Sequence, residues 1–301
     1  MEFGRVDENT LDQVHFKLPD DGSFTSSLLK AKKEKPGFEI RVGCAKWGRK
    51  DWVGKLYPKG TKDKDFLEEY ARQFNCIEFN AIYYRLPDQA QIESWVSKVG
   101  DNFKFCPKFT DAITHIRRLK EARLETDRFL DSIQAFGKHL GPLFLMPHPQ
   151  MGSKHLETIK DYLLSLPEDL DVFLELRHPD WFGSAAFTEL LQFCKDHRRG
   201  MVITDTAGRR DCAHMQLSTR EAFIRFVGNS LHPTDYTRID DWVQRIRSWK
   251  AHGIEKIWFF MHQHEELYSP ELCVYLIEAL NKSCGTALTP PRLYSPQQSL
   301  F

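Results

Sequence analysis

The feature that most constrains this chain is an alternation. Eight short apolar runs, at residues 39–44, 76–80, 103–108, 142–146, 172–177, 201–205, 222–227 and 256–262, are separated by longer amphipathic stretches. Runs that are apolar on both faces fit strands of a parallel sheet covered on both sides. Seven stretches, 64–74, 88–99, 126–138, 154–166, 185–195, 240–252 and 270–281, carry helical periodicity. Strand-then-helix order predicts a parallel α/β sheet, and eight such units predict a closed (β/α)8 TIM barrel rather than an open doubly wound sheet. Residues 206–221 are short and mixed, so the sixth crossover helix is predicted to be reduced or replaced by a loop. Capping signals agree: Pro87-Asp88 opens the second helix, Ser153 precedes the fourth, and Gly253 follows the 240–252 helix.

A barrel of roughly 250 residues accounts for most of the 301 present as one unit. Residues 1–37 lack periodicity and end in KAKKEKPG, which reads as an N-terminal arm or linker, dispensable for the fold. Residues 38–301 read as a single TIM-barrel domain whose irregular C-terminal tail, from Gly285 to Phe301, includes Pro290, Pro291 and Pro296. The 42 basic and 42 acidic residues cancel, so nucleic acid is admitted as a partner but not favoured. No run approaches the ~20 apolar residues of a membrane span. The opening MEFGRVDENT has no apolar core of a secretory signal, so a cytoplasmic location is expected. Seven cysteines with no CxxC pair read as free, buried thiols in a reducing compartment. No glycine-rich dinucleotide or P-loop motif follows a strand.

Charge inside such strands needs a reason, because a buried unpaired charge is costly. Period two puts Glu78 and Asn80 on one side of the second strand, Glu175 and Arg177 on one side of the fifth, and His262 and His264 on one side at the end of the eighth. Lys108 and Asp205 end the third and sixth strands, and Arg225 sits in the seventh. Barrel enzymes assemble their sites at that end of the strands. We therefore expect Glu78, Lys108, Glu175, Arg177, Asp205 and Arg225 in one pocket at the barrel mouth, with Leu174 and Leu176 facing the helices. The alternative is a set of ion pairs that seals the barrel. Individually, Glu175 reads as a general base or as the partner of Arg177, Lys108 as an anion holder or the partner of Glu78, Asp205 as an acid or a helix cap, and His262 as a titrating group or a neutral donor. Glu78, Glu175, Asp205 and His262 would suit Mg²⁺, Mn²⁺ or Zn²⁺. Lys108, Arg177 and Arg225 would repel a cation, so a divalent metal is admitted but not favoured, and no cofactor is assigned. Trp47, Trp52, Tyr57, Tyr83, Tyr84 and Trp181 follow strands one, two and five, where aromatics suit a ring-shaped ligand or simple packing.

The segments GCAKWGRKDWVGKLYP, EYARQFNCIEFNAIYYRLP, FKFCPKFTDAITH, LGPLFLMPHP, LELRHPDWF, VITDTAG, AFIRFVGN and PQQSLF, taken in order, resemble the YecE-like family, known as domain of unknown function 72. The resemblance spans about residues 38 to 301 and implies a TIM barrel whose activity is not established. It places the family's motif residues on Gly43, Trp47, Trp52, Glu78, Asn80, Tyr83, Tyr84, Lys108, Thr114, His115, Glu175, Arg177, His178, Trp181, Asp205 and Arg225. The chain departs from it at Met146, where the family usually has Gln, and at His262, where many members have Asn.

Two classes of function follow. One is an enzyme, a hydrolase or isomerase, acting on a small anionic or sugar-like ligand. There Glu78, Glu175, Asp205 and His262 supply acid–base chemistry, and Trp47, Asn80, Tyr84, Lys108, His115, Arg177, His178, Trp181 and Arg225 hold the ligand. Within it, a metal-dependent phosphoesterase on nucleic acid is a less favoured option. The other is a non-catalytic binding protein using the same anion-binding pocket. A carboxylate beside an open cleft would favour the first, a pocket closed by reciprocal ion pairs the second.

Overall fold

The computed structural model describes residues 2–30 and 37–294. The closing PQQSLF, with Pro296, and most of the KAKKEKPG run lie outside the described residues. Eight parallel strands run in order: β1 (Glu39–Cys44), β2 (Cys76–Phe79), β3 (Lys104–Pro107), β4 (Leu143–Leu145), β5 (Val172–Leu174), β6 (Gly200–Asp205), β7 (Glu221–Gly228) and β8 (Lys256–Gln263). Each falls on one of the eight apolar runs. The helices are α1 (Ser23–Leu28) in the arm, then α2 (Phe66–Gln73), α3 (Gln89–Val96), α4 (Arg123–Ile133), α5 (Leu156–Ser165), α6 (Ala185–Asp196), α7 (Pro233–Ala251) and α8 (Ser269–Cys284). Helix α7 begins seven residues before the expected 240, at Pro233 and the His232 side chain, which accepts from Thr234 N; its largely polar first turns carry little apolar periodicity. Asp88 caps α3 as expected, accepting from Gln91 N at 2.8 Å. Ser153 does not cap α5: its N–H and hydroxyl both donate to Asp180, at 2.9 and 3.0 Å.

The strands form a curled six-stranded parallel sheet, ordered β1-β8-β7-β6-β5-β4, and a two-stranded sheet of β2 and β3. The continuous eight-stranded ladder expected from the sequence is interrupted at two seams, each for a visible reason. Between β1 and β2 a side chain takes the place of the ladder. The Tyr70 hydroxyl accepts from Cys44 N at 2.7 Å and donates to the Cys76 carbonyl at 3.0 Å, while Val42 N donates to Asn75 Oδ1 at 3.1 Å. The backbones still approach closely, since a Cβ on Gly43 would lie 2.2 Å from the Cys76 carbonyl oxygen. Between β3 and β4 only isolated bridges form, Phe105 to Leu140 and Lys108 to Phe144, with a one-residue slip between them. Pro107 and Pro142 bring no N–H to that seam.

Two apolar layers result. Cys76, Cys106, Phe144, Phe173, Val202, Phe223, Trp258 and Phe260 pack together on the inner face of the curl. A larger cluster, with Leu174 and Leu176 in it, fills the space between strands and helices. All seven cysteines are free and buried, and no helix among the described residues is long and apolar enough to cross a membrane.

Between β6 and β7 there is only a short 3-10 turn, Arg210–Cys212, as the mixed sequence suggested. The arm packs there. Thr25 Oγ1 donates to the Met215 carbonyl at 2.8 Å and accepts from Leu217 N at 2.7 Å, and Arg210 donates to the Phe16 carbonyl at 2.9 Å. Asp21 pairs with Arg245 and accepts from Trp249 Nε1 at 3.0 Å, tying the arm to α7. Leu11, Leu18 and Leu29 are buried.

Tyr70→Phe should leave a buried N–H and a buried carbonyl without partners at the β1–β2 seam, costing about 1–3 kcal/mol, read as a lower urea midpoint at unchanged slope. Deleting residues 2–30 should lower the midpoint further, because it uncovers the β6–β7 connection and α7; a midpoint equal to that of the intact chain would show the arm to be a mere attachment.

Candidate functional site

At the C-terminal ends of the strands, side chains of the inner face meet around Arg225. Its Nε and Nη2 donate to Glu78 Oε2 and Oε1 at 2.8 and 2.9 Å. Its Nη1 donates to both oxygens of Glu175, at 2.8 and 2.7 Å. One guanidinium from β7 thus sits between carboxylates from β2 and β5. The remaining acceptor positions are filled as well. Asn80 Nδ2 and His262 Nε2 reach Glu78, both at 2.9 Å, and Arg177 Nε and Thr204 Oγ1 reach Glu175, both at 3.1 Å. Beyond His262, Glu266 Oε1 lies 3.4 Å from Nδ1.

These groups are buried, and their protonation follows from the pairing. Burial opposes the Glu175 charge, but Arg177, Arg225 and Lys108 outweigh it and hold the carboxyl at about 2. Burial likewise opposes the charge on Glu78, and Arg225 and His262 hold it well below the usual carboxylate range. Burial disfavours a charged His262, yet Glu78 and Glu266 on either side raise its pKa. The site therefore contains two ionised glutamates and an imidazole biased towards its cation.

Lys108 differs. It is 8% exposed, and among the described residues its Nζ has neither a hydrogen bond nor an ion pair. The ammonium lies 4.0 Å from the centre of the Tyr83 ring, a cation–π contact. Burial, Arg225 and Arg177 lower its pKa to about 8. Tyr83 leads on to His115, whose Nδ1 is 3.0 Å from the Tyr83 hydroxyl and 2.9 Å from Thr114 Oγ1. The Thr114 hydroxyl proton is committed to the Thr110 carbonyl at 2.8 Å, so His115 Nδ1 is the donor to Thr114. Burial, with His148, Lys108 and Arg177 nearby, lowers His115 to about 4 and keeps it neutral. His115 sits in a single π-helical turn, Ala112–Ile116, a local geometry frequent at functional sites.

The structure thus brings together Glu78, Asn80, Lys108, Glu175, Arg177, Arg225 and His262, with His115 at the rim. It places Asp205 elsewhere. Asp205 pairs with Arg238 and Arg210 and accepts from Trp242 Nε1 at 2.8 Å, on the helix side of β6. Alternation decides this, because Thr204 is the neighbour that reaches Glu175. Trp47 stacks on Phe79 at 5.4 Å, among side chains of the outer layer. Trp181 is fully buried, donating to the Met151 carbonyl at 2.8 Å. Trp52 and Tyr57 are buried too, whereas Tyr84 is 81% exposed. His178 pairs with Asp180 at 2.8 Å. The proposed metal set is not assembled: Asp205 faces away, and Arg225 lies between Glu78 and Glu175. Among the described residues no group of three or more His, Cys, Asp or Glu is placed to hold a metal ion. Thr204 and Glu266 were missed in the sequence; alternation along β6 would have found the first, and the four-residue spacing from His262 hinted at the second.

Residues 41–297 match the family model described as protein of unknown function DUF72. UPF0759 protein YecE of Escherichia coli K12 is 28% identical over 280 residues, covering 86% of this chain and 98% of its own length. A DUF72 family protein from Enterococcus faecalis V583 superposes with a TM-score of 0.61 at 18% identity, covering 86% of this chain and 99% of that one. Another from Thermotoga maritima MSB8 gives 0.61 at 18% identity, covering 82% and 100%.

The pairing fixes a pH response. Glu78 and Glu175 are depressed when folded, so they add stability above about 4.5, the unfolded value, that is lost as pH falls towards 2. His262 is raised, so its contribution is complete below about 6.5 and lost as pH rises through its folded value. Urea unfolding should show both limbs, with His115, held at about 4, adding stability as pH rises from there towards about 6.5. His262→Asn should flatten the alkaline limb and, by removing a partner of Glu78, also weaken the acid limb. Arg225→Leu should cost about 3–5 kcal/mol by leaving two buried carboxylates facing each other.

Proposed function

We propose, from the premise that the chain belongs to the DUF72 family, that the mouth formed by its strand ends binds a small anionic ligand held by Lys108 and Arg177. The observation that carries this reading is Lys108, a side chain only 8% exposed whose ammonium keeps a little solvent contact, is unpaired among the described residues and adjoins a second cation. A largely desolvated charge without a partner is costly, and an anion supplies the partner. Within the Arg225 cluster, Arg225, Arg177 and His262 pair with Glu78, Glu175 and Glu266, and Lys108 stands beside them as a further cation.

The reading takes the eight strands as one closed barrel. Support comes from Tyr70 and Asn75, which join β1 to β2, and from the bridges that join β3 to β4. The reacting group of such an enzyme is Lys108. Its pKa near 8 lets it exchange a proton close to neutrality, whereas Glu78 and Glu175 are saturated by donors and act as the frame that sets the cations. A second reading, ligand binding without turnover, is favoured by that same saturation.

Sulfate keeps its charge from pH 6 to 9 and is a suitable probe. Calorimetric titration should give 1:1 binding at pH 7 that weakens steeply as pH passes about 8. Lys108→Met should abolish it, while Glu93→Gln, on exposed α3, should leave it unchanged. Sulfate binding that is the same in Lys108→Met as in the unmodified chain would overturn the assignment.

A further inference from the structure

The arm does more than cover α7. Phe3 lies on the Arg177 guanidinium, 4.1 Å from Cζ to ring centre, and 5.5 Å from that of Arg209. Gly208 N donates to the Gly4 carbonyl at 2.8 Å, and Thr206 Oγ1 lies 3.2 Å from the Phe3 and Gly4 carbonyls. Gly4 has φ +71°, and a Cβ there would come within 2.4 Å of the Thr206 side chain. The segment is thus seated on the loop after β6, with its aromatic ring over one of the two cations proposed to hold the ligand.

Packing along the arm is uneven. From Leu11 onward it is pinned by buried side chains, Leu11, Leu18, Thr25 and Leu29, and by the Asp21 contacts to α7. Residues 2–6 bury none completely. Their hold is the Phe3 ring, the Val6 side chain against Gly208 and a few hydrogen bonds at the rim, the profile of a locally opening segment. Regular structure begins just after Val6, where Asp7 caps the 3-10 turn Glu8–Gln13, accepting from Asn9 N at 2.9 Å. In this closed arrangement the Arg177 side chain is only 12% exposed and Lys108 8%. The family match starts at residue 41, so this cover lies outside the part shared with the family.

We propose that residues 2–6 are a lid on the anion site, closed by Phe3 on Arg177 and opening at the Val6–Asp7 joint to admit the ligand. The proposal rests on the anion reading of Lys108 and Arg177. It gives the arm two roles on one strap: a fixed part that replaces a crossover helix, and a labile end that controls access.

Two variants open the lid without touching a site residue. Phe3→Ala removes the ring, and Gly4→Val collides with Thr206 and disfavours the positive φ. Both should keep the melting temperature of the unmodified protein, since residues 2–6 anchor little. Arg177 accessibility is read by phenylglyoxal modification followed by peptide mass mapping. Arg177 should react several-fold faster in both variants, with sulfate protecting it in each. Unchanged Arg177 reactivity in both variants would overturn the lid. Faster reaction with no protection by sulfate, in variants or unmodified protein, would uphold the cover over Arg177 and overturn the anion reading instead.

Discussion

Arg225 is the interaction on which the rest of the site depends. Two carboxylates on the inner face of a curled sheet cannot stay ionised and buried unless a cation lies between them. The guanidinium fits because its planar fork serves Glu78 along one edge and Glu175 along another, joining β2, β5 and β7. A lysine could not satisfy both sides at once. With the carboxylates used this way, Asn80, His262, Arg177 and Thr204 complete their shells. Among the described residues Lys108 has no hydrogen bond or ion pair to answer its charge.

A second constraint acts outside the strands. The chain supplies only a 3-10 turn between β6 and β7, and the arm lies against that connection and α7. A structural shortage at one crossover thereby brings a distant segment to the rim of the site. The same strap carries Phe3 to Arg177. The β6–β7 connection and the Arg177 rim are thus covered by one continuous piece of chain that the family match does not include.

How much was legible depended on whether a residue's role followed from alternation or from a partner far away in sequence. Glu175 and Arg177 share the inner face, and Leu174 and Leu176 the outer, as period two requires. Asp205 was misplaced among the mouth residues because a strand-end acid looks the same from either face; the Thr204 hydroxyl on Glu175 and the indole of Trp242 on Asp205 show which is which. Trp47 and Trp181 follow strands as ligand-lining aromatics would, but large rings near strand ends also fill the layer beneath helices, and there they lie. Phe3 carried no signal, being one aromatic in an aperiodic segment.

The sequence by itself determined the order and direction of the elements, the reduced sixth crossover and the pairing of faces along each strand, because these depend on local periodicity and on the penalty for burying charge. Tertiary structure alone decided that Arg225 stands between Glu78 and Glu175, that Tyr70 replaces a ladder at one seam, that Lys108 is left unanswered and that the arm folds over Arg177. Each of these is a meeting of side chains separated by tens to hundreds of residues. Such meetings are set by the curl of the sheet and the volume available inside it, and no local pattern encodes them.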